Sequence, residues 1–315
     1  MEIFYDQDKL SKQLKEKAKA EGFNPVGIAR VPGSSRMKLR TAALERWLEA
    51  GNHGNMGWME APRRKNIETL LNGVKSVLAV GLNYYIDLKP KSDALLIGRY
   101  AWGEDYHKIM NKRLKKIGKW LNNQRPESQW RTCVDSSALL EKAWAEEAGL
   151  GWIGKHTNVI NPQNGSWMVL GYLLSTEALT PDQPAKPRCG QCKKCIDICP
   201  TNAISEPFVI DANKCLPYHT IENKDPILPK PIVKSMGKWI AGCDICQEIC
   251  PWNQKKSITS SQDSDMQPKK WILNLTKDDV LNWDDKEWEK NLTNSSLKRI
   301  KPWMWRRNAH AINIK

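Results

Sequence analysis

The sequence predicts an α/β protein in two parts, an N-terminal domain whose mixed sheet is flanked by helices and a smaller cysteine-rich domain, closed by a short helical tail. Two observations predict this. Strand-like and helix-like patterns alternate up to about residue 178, and between residues 189 and 251 the chain turns rich in cysteine and proline, leaving little room for long elements.

Leu10, Leu14 and Ala18 recur at helical spacing in a lysine-rich stretch that ends at Gly22, and residues 25–31 then read as a short strand. Residues 42–50 read as a helix stopped by Gly51, and 76–82 form a mostly apolar run of strand length. A basic amphipathic helix follows at 106–121, a short strand at 131–134, a helix at 137–148 closed by Gly149, and a buried strand at 167–174. Residues 180–188, TPDQPAKPR, hold three prolines in nine positions and read as a linker. The expected units are therefore 1–178, 179–256 and 257–315, the last a set of short helical patterns behind a polar loop at 255–270.

At 315 residues the chain can bury a core without help from metal, so any metal serves chemistry. The net charge of +14 and pI near 9.3 favour an anionic macromolecule as partner, nucleic acid first, against a basic surface that only aids solubility. The opening residues, MEIFYDQDKL, have no basic leader before an apolar stretch, and no run approaches the roughly 18 apolar residues that cross a bilayer. A soluble, cytoplasmic protein with no membrane partner is expected. In that reducing compartment nine cysteines are ligands or redox groups rather than disulfides.

Eight of the nine cluster. Cys189, Cys192, Cys195 and Cys199, followed by Pro200, spell C-x2-C-x2-C-x3-C-P, the bacterial ferredoxin run in which three thiolates hold one 4Fe-4S cluster and the fourth reaches its neighbour. A second run keeps Cys243, Cys246 and Cys250-Pro251 but has Ile240 at its first position. Cys215 is the remaining cysteine of the region. The first cluster is thus assigned Cys189, Cys192, Cys195 and Cys250, and the second Cys199, Cys215, Cys243 and Cys246. Zinc sites instead read as two separated C-x2-C pairs.

The ninth, Cys133, reads as a small buried hydrophobe two residues from Asp135. Asp135 stands where a strand gives way to a helix, a place for an N-cap and equally for an active group. The stretch GLGWIGK follows a helix and lacks phosphate-loop spacing. Arg99, Tyr100, Trp102, Asp105, Tyr106 and His107 mix aromatic, basic and acidic groups as a pocket lining does.

Together RYAWGEDYH, CVDSSALLEKAWAEEAGLGWIGKHTNVINPQNGSW, CGQCKKCIDICPTNAI and GCDICQEICPWN resemble the epoxyqueuosine reductases, iron-sulfur enzymes of tRNA modification, over nearly the whole chain. The resemblance implies cobalamin in the N-terminal domain, two 4Fe-4S clusters that reduce its cobalt, and reduction of the wobble nucleoside epoxyqueuosine to queuosine. The substrates implied are the aspartate, asparagine, histidine and tyrosine tRNAs, with an external electron donor, and nothing in the sequence asks for more than a monomer. Asp135 matches the family's proton donor, a role that fits a carboxyl whose pKa a dry pocket raises. Cobalamin contacts are implied at Arg64, Gly98, Asp135, Val159, Leu170 and Asp244, and residues 217–224 would face tRNA.

The chain departs from the family pattern in two ways. Many members have Asn where His156 stands, and many continue beyond the RRNA of residues 306–309 into a helical-repeat extension. The grip on tRNA is therefore expected from the basic helix at 108–119 and from Lys298, Arg299, Lys301, Arg306 and Arg307, with Trp303 and Trp305 either stacking on bases or packed in a core. The alternatives are a reductive dehalogenase-like corrinoid reductase and an electron-transfer module with clusters alone.

Overall fold

Between Ser76 and Asn83 the side chains alternate between two cores. Leu78, Val80 and Leu82 join one, and Val77 and Ala79 join the other, so this strand is covered on both faces. The computed structural model describes residues 2–312. Met1 and residues 313–315, which belong to the first and last expected units, lie outside the described residues.

The N-terminal part runs α1 (Glu2–Ala20), β1 (Val26–Arg30), α2 (Ser35–Glu49), β2 (Ser76–Asn83), β3 (Leu96–Ile97), α3 (Tyr106–Gln124), β4 (Trp130–Cys133), α4 (Glu141–Glu147), β5 (Trp152–Ile153), β6 (Val159–Ile160) and β7 (Met168–Ser175). Its main sheet has the order β1-β2-β7-β4. Leu14 of α1 and Met110, Leu114 and Ile117 of α3 cover one face, while Met37 of α2 and Ala143 and Trp144 of α4 cover the other.

The expected mixed sheet is not found. All three pairings in it are antiparallel, Val26 opposite Val80, Ser76 opposite Ser175 and Trp130 opposite Ser175. Long connections return the chain to either end of the sheet, so alternating helices and strands need not make a parallel crossover. The parallel pair is a separate one, β3 with β8 (Trp239–Ala241).

Two helices also start elsewhere than the pattern suggests. α2 begins at Ser35, because the Ser34 hydroxyl caps it by accepting from the Arg36 N–H while Glu147 accepts from the Ser34 backbone at 2.6 Å. α4 begins only at Glu141, since residues 135–140 form a turn around Asp135.

After β7, residues 180–188 have no regular structure but are pinned down, with Asp182 accepting from the Ile28 N–H at 2.9 Å. The cysteine-rich stretch holds α5 (Lys194–Asp197), α6 (Lys230–Ser235), β8 and α7 (Ile245–Glu248). The tail supplies α8 (Lys277–Asn282), α9 (Asp285–Leu292) and α10 (Pro302–Ala311), the first two nucleated by capping boxes at Thr276/Asp279 and Asp284/Glu287. Its side chains join Ile97 and Trp102 from the N-terminal part and Ile240 from the cysteine-rich part in a third core. Trp283 meets Trp271 and Trp288 edge-to-face there, and Trp305 is fully buried, so Trp305 is core and not a stacking platform. Among the described residues no helix is long and apolar enough to cross a membrane.

Candidate active site and cluster sites

β4 delivers the buried Cys133 to the sheet and then turns sharply at Asp135, whose φ is 50°. A short polar side chain tolerates this left-handed conformation better than most. The turn is held by Glu141, whose Oε1 accepts the Asp135 N–H at 2.6 Å. From the opposite side comes the start of α3. Asp105 is its N-cap, accepting the His107 N–H at 3.0 Å, and its Oδ1 also lies 2.7 Å from His107 Nδ1. His107 Nε2 lies 2.9 Å from Asp135 Oδ2. Asp135 does not cap the helix that follows it, since α4 starts only at Glu141 behind Leu140 with no side-chain cap, and the Asp135 side chain faces a cavity instead.

Burial works against a charged His107, but hydrogen bonds to Asp105 and Asp135 and their negative charges overcome it and push the pKa up to about 9. Burial would likewise raise Asp135, yet the His107 bond and charge, with Arg299 behind them, hold it below the usual carboxylate range. The expectation of a dry pocket that raises Asp135 is therefore corrected: its side chain is 44 % exposed toward the cavities and paired with a cation. The raised carboxyl bonded to the Asp135 backbone is Glu141, pushed up to about 8 by burial and then by the Asp135 charge; Asp244 and Glu222 are also raised by burial. Sequence reasoning passed over Glu141; its place six residues after Asp135, at the first turn of a helix, was the available signal.

Asp135 borders two cavities. One, of about 310 Å³, is lined by Tyr84, Tyr100, Tyr106, Val159, Leu170 and Asp244, with Cys243 in its wall. Gly98 lies beside it, where the next N–H, of Arg99, donates to Asp244 Oδ2 at 2.7 Å. A Cβ on Gly242, whose φ is 78°, would stand 3.2 Å from the Gly98 nitrogen, and one on Gly98 would stand 3.2 Å from the Tyr100 ring, so both glycines open space here. The other cavity, of about 670 Å³, is lined by Arg63, Arg64, His107, Glu222, Lys298 and Arg299. Four of the six residues singled out for a cofactor, Asp135, Val159, Leu170 and Asp244, thus line the smaller cavity and Gly98 adjoins it, while Arg64 lines the larger one.

Cys195 lies near Cys189, Cys192 and Cys250, and Cys215 and Cys243 lie near Cys199, while Cys246 is close to cysteines of both groups. Burial comes first, and then the charges of Cys250, Cys189 and Cys192 push Cys195 up to about 11. Cys215 is pushed up to about 12 by burial and then by Cys246 and Cys199, and Cys243 to about 12 by burial and the charges of Asp244, Cys215 and Cys199. Thiols that obstruct one another's ionisation need a cationic centre to exist as thiolates. Among the described residues no three such groups close on a point as a single ion requires. Cys189, Cys192, Cys195 and Cys250 instead ring a void of about 40 Å³, an arrangement that fits a polynuclear cluster. Cys192 is exposed, whereas Cys243 of the other set borders the Asp135 cavity.

A buried hydrogen-bond network joins the sheet to the second cysteine run. The Ser166 N–H donates to Asn253 Oδ1 at 2.7 Å, its hydroxyl donates to Gln247 Oε1 at 2.8 Å, and Asn253 Nδ2 donates to the Ser166 hydroxyl and to the Gln247 carbonyl at 2.8 Å each. These are the GSW and CPWN motifs meeting in space.

Comparison with known proteins agrees with this arrangement. Residues 188–253 match the model of a 4Fe-4S double cluster binding domain, and 64–136 match that of epoxyqueuosine reductase QueG, DUF1730. An epoxyqueuosine reductase of Prochlorococcus marinus (strain NATL2A) is 62 % identical over 97 % of this chain and 98 % of its own length. The chain belongs to the epoxyqueuosine reductases. Membership makes it an oxidoreductase and sets aside the two alternative readings. Solved epoxyqueuosine reductases share the fold: one in complex with an epoxyqueuosine-modified tRNA-Tyr stem loop has a TM-score of 0.88 at 26 % identity, over 96 % of this chain and 80 % of that one. The Bacillus subtilis enzyme, described with its catalytic aspartate loop swung out of the active site, gives 0.85 at 26 % identity over the same shares.

Within this chain the residues expected to grip tRNA separate. Arg307 is 9 % exposed and spends its guanidinium on the carbonyls of His219 (2.8 Å), Asn223 (2.7 Å) and Asp225 (2.6 Å), so it is withdrawn from any phosphate. Its neighbour Asn308 donates to the Thr220 and Ile240 carbonyls at 2.9 Å each. The RRNA motif therefore anchors residues 219–225 from behind. Lys298 and Arg299 instead face the larger cavity, and Lys108, Lys112 and Lys116 line an outer groove along α3 that meets that cavity at Asp105.

Proposed function

We propose that this chain reduces epoxyqueuosine to queuosine at the wobble position of tRNA, with Asp135 handing a proton to the departing epoxide oxygen. The observation that carries the reading is the position of Asp135 between a cavity walled by a cluster cysteine and a cavity walled by cations. A reducing centre on one side and a phosphate-bearing substrate on the other would meet at this carboxylate. The relative solved with a tRNA stem loop and the one described by its catalytic aspartate loop support it.

Removing the epoxide oxygen as water and leaving an alkene takes two electrons and two protons. Bound cobalamin would supply the electrons from cobalt, chemistry no side chain offers, held by Arg64, Gly98, Asp135, Val159, Leu170 and Asp244. The aromatic and polar lining of the smaller cavity, its glycine wall and the cluster cysteine in it suit such a group. Cys189, Cys192, Cys195 and Cys250 would hold the outer cluster and Cys199, Cys215, Cys243 and Cys246 the inner one. An external donor would deliver electrons at the exposed Cys192 side.

One of the two protons comes from the chain and the other from solvent water. An Asp135 held ionised is a relay and not a reservoir: His107 Nε2 passes its proton to Asp135 Oδ2, which passes it to the leaving oxygen. Units 1–178, 179–256 and 257–315 then serve as catalytic domain, electron entry and a tRNA-contacting tail that brings Lys298 and Arg299 to the larger cavity. A tRNA substrate of the queuosine type, with aspartate, asparagine, histidine or tyrosine identity, implies a cytoplasmic enzyme, and one chain contains the whole site. Anaerobic turnover of an epoxyqueuosine-modified stem loop tests the reading. Asp135→Asn should abolish product while iron content and stem-loop binding persist, and full activity in that variant would sink the assignment.

A further inference from the structure

His156 sits in the turn between β5 and β6, 1 % exposed. Lys155 clamps that turn to the first cysteine loop by donating to the Gly190 carbonyl at 2.7 Å and the Cys192 carbonyl at 2.9 Å. The Asn158 N–H donates to His156 Nδ1 at 3.2 Å, so Nδ1 carries the lone pair and Nε2 carries the proton. That Nε2 has no partner among the described residues. A buried donor left unmade is costly and rare. His156 also lines the void ringed by Cys189, Cys192, Cys195 and Cys250. A second N–H reaches the same set, with Trp152 Nε1 lying 3.4 Å from Cys189 Sγ.

We propose that His156 Nε2–H donates a hydrogen bond to a sulfur of the cluster held by Cys189, Cys192, Cys195 and Cys250, and that this bond raises that cluster's reduction potential. The inference rests on the ligand assignment above. Reduction adds negative charge to the sulfurs, so an N–H aimed at one favours the reduced state, and second-shell donors are a recognised control of cluster potential. In the proposed order of electron flow the raised potential makes the outer cluster the better acceptor from an external donor. Where this chain has His, an Asn would offer a shorter donor.

The test is an anaerobic redox titration followed by electron paramagnetic resonance, on full-length protein reconstituted with iron and sulfide. His156→Leu should move one of the two one-electron transitions to lower potential, by a change on the order of tenfold in the reduction equilibrium, about 59 mV, and leave the other in place. Trp152→Phe should move that same transition downward, and His156→Asn should move it part-way. Unchanged potentials in His156→Leu at full iron content would overturn the proposal, as would a shift confined to the transition that Trp152→Phe leaves alone. Loss of iron from both His156 variants would also overturn it, by making His156 a folding element. If the eight cysteines do not hold two clusters at all, the wild-type protein will fall short of about eight irons, a failure distinct from any of these.

Discussion

His107 Nε2 lies 2.9 Å from Asp135 Oδ2, and the other face of the same ring is held by Asp105. The imidazole is thereby oriented by one carboxylate and aimed at the other, and its ordinary pKa of 6.5 is pushed up to about 9 despite burial. A raised histidine contributes stability in full below the unfolded value and loses it as pH rises through the folded value. Its proton is therefore present at neutral pH and lost near pH 9.

Single-turnover reduction of the stem loop should accordingly fall as pH rises through about 9. His107→Gln should lower the rate by roughly 10²–10⁴-fold and remove that alkaline limb. Glu141, Tyr106 and Arg299 also face Asp135, so Glu141→Gln serves as a control that keeps the limb. A limb that survives in His107→Gln would mean the proton comes from elsewhere.

Much of this site is legible in the sequence. The proposed cysteine partition rests on one missing ligand at Ile240 and one spare cysteine at Cys215, because cluster spacing is a local rule. The strands β1, β2 and β7 and the helix α3 were visible for the same reason, since burial of one or both faces writes a period into the chain. What stayed hidden was pairing across distance. β3 and β8 are two and three residues long, and nothing local in either says that they meet. The tail was misjudged likewise: Arg307 looks like a phosphate ligand until its acceptors, more than 80 residues earlier in the chain, are known.

The Ser166–Asn253 network makes Gly165 a sensitive position. Its φ is 62°, and a Cβ there would stand 2.1 Å from Asn253 Oδ1. Gly165→Ala should cost about 1–3 kcal/mol in backbone strain and a further 1–3 or so through the buried bonds it displaces. Thermal unfolding should fall by several degrees. Because Asn253 braces the turn after Cys250, iron content should fall with it. A variant with unchanged melting temperature and iron would show that the network is dispensable.

Arg307 and Lys112 should separate scaffold from substrate grip. Arg307→Met strips a charged donor from three carbonyls and should destabilise by about 1–3 kcal/mol or more, with the salt dependence of stem-loop binding unaltered. Lys112→Ala, on the open face of α3, should leave melting unchanged and reduce the slope of log affinity against log salt by about 0.7–0.9. Equilibrium binding from low to moderate salt decides it; a reduced slope in Arg307→Met would return that residue to the interface.

Removal of the clusters should melt the cysteine-rich part unevenly. α5 and α7 have four residues each, too short to persist without metal-bound cysteines at their ends. β8 has other support, since it pairs with β3, and Ile240 packs against α10 in the third core, where Asn308 takes its carbonyl. Chelation of iron under anaerobic conditions, followed by amide hydrogen exchange, should therefore deprotect residues 189–215 and 243–250 first. Residues 239–241 should keep their protection, because they are held by the tail and not by metal. Uniform loss across 189–251 would instead mean that the clusters, and not the third core, carry β8.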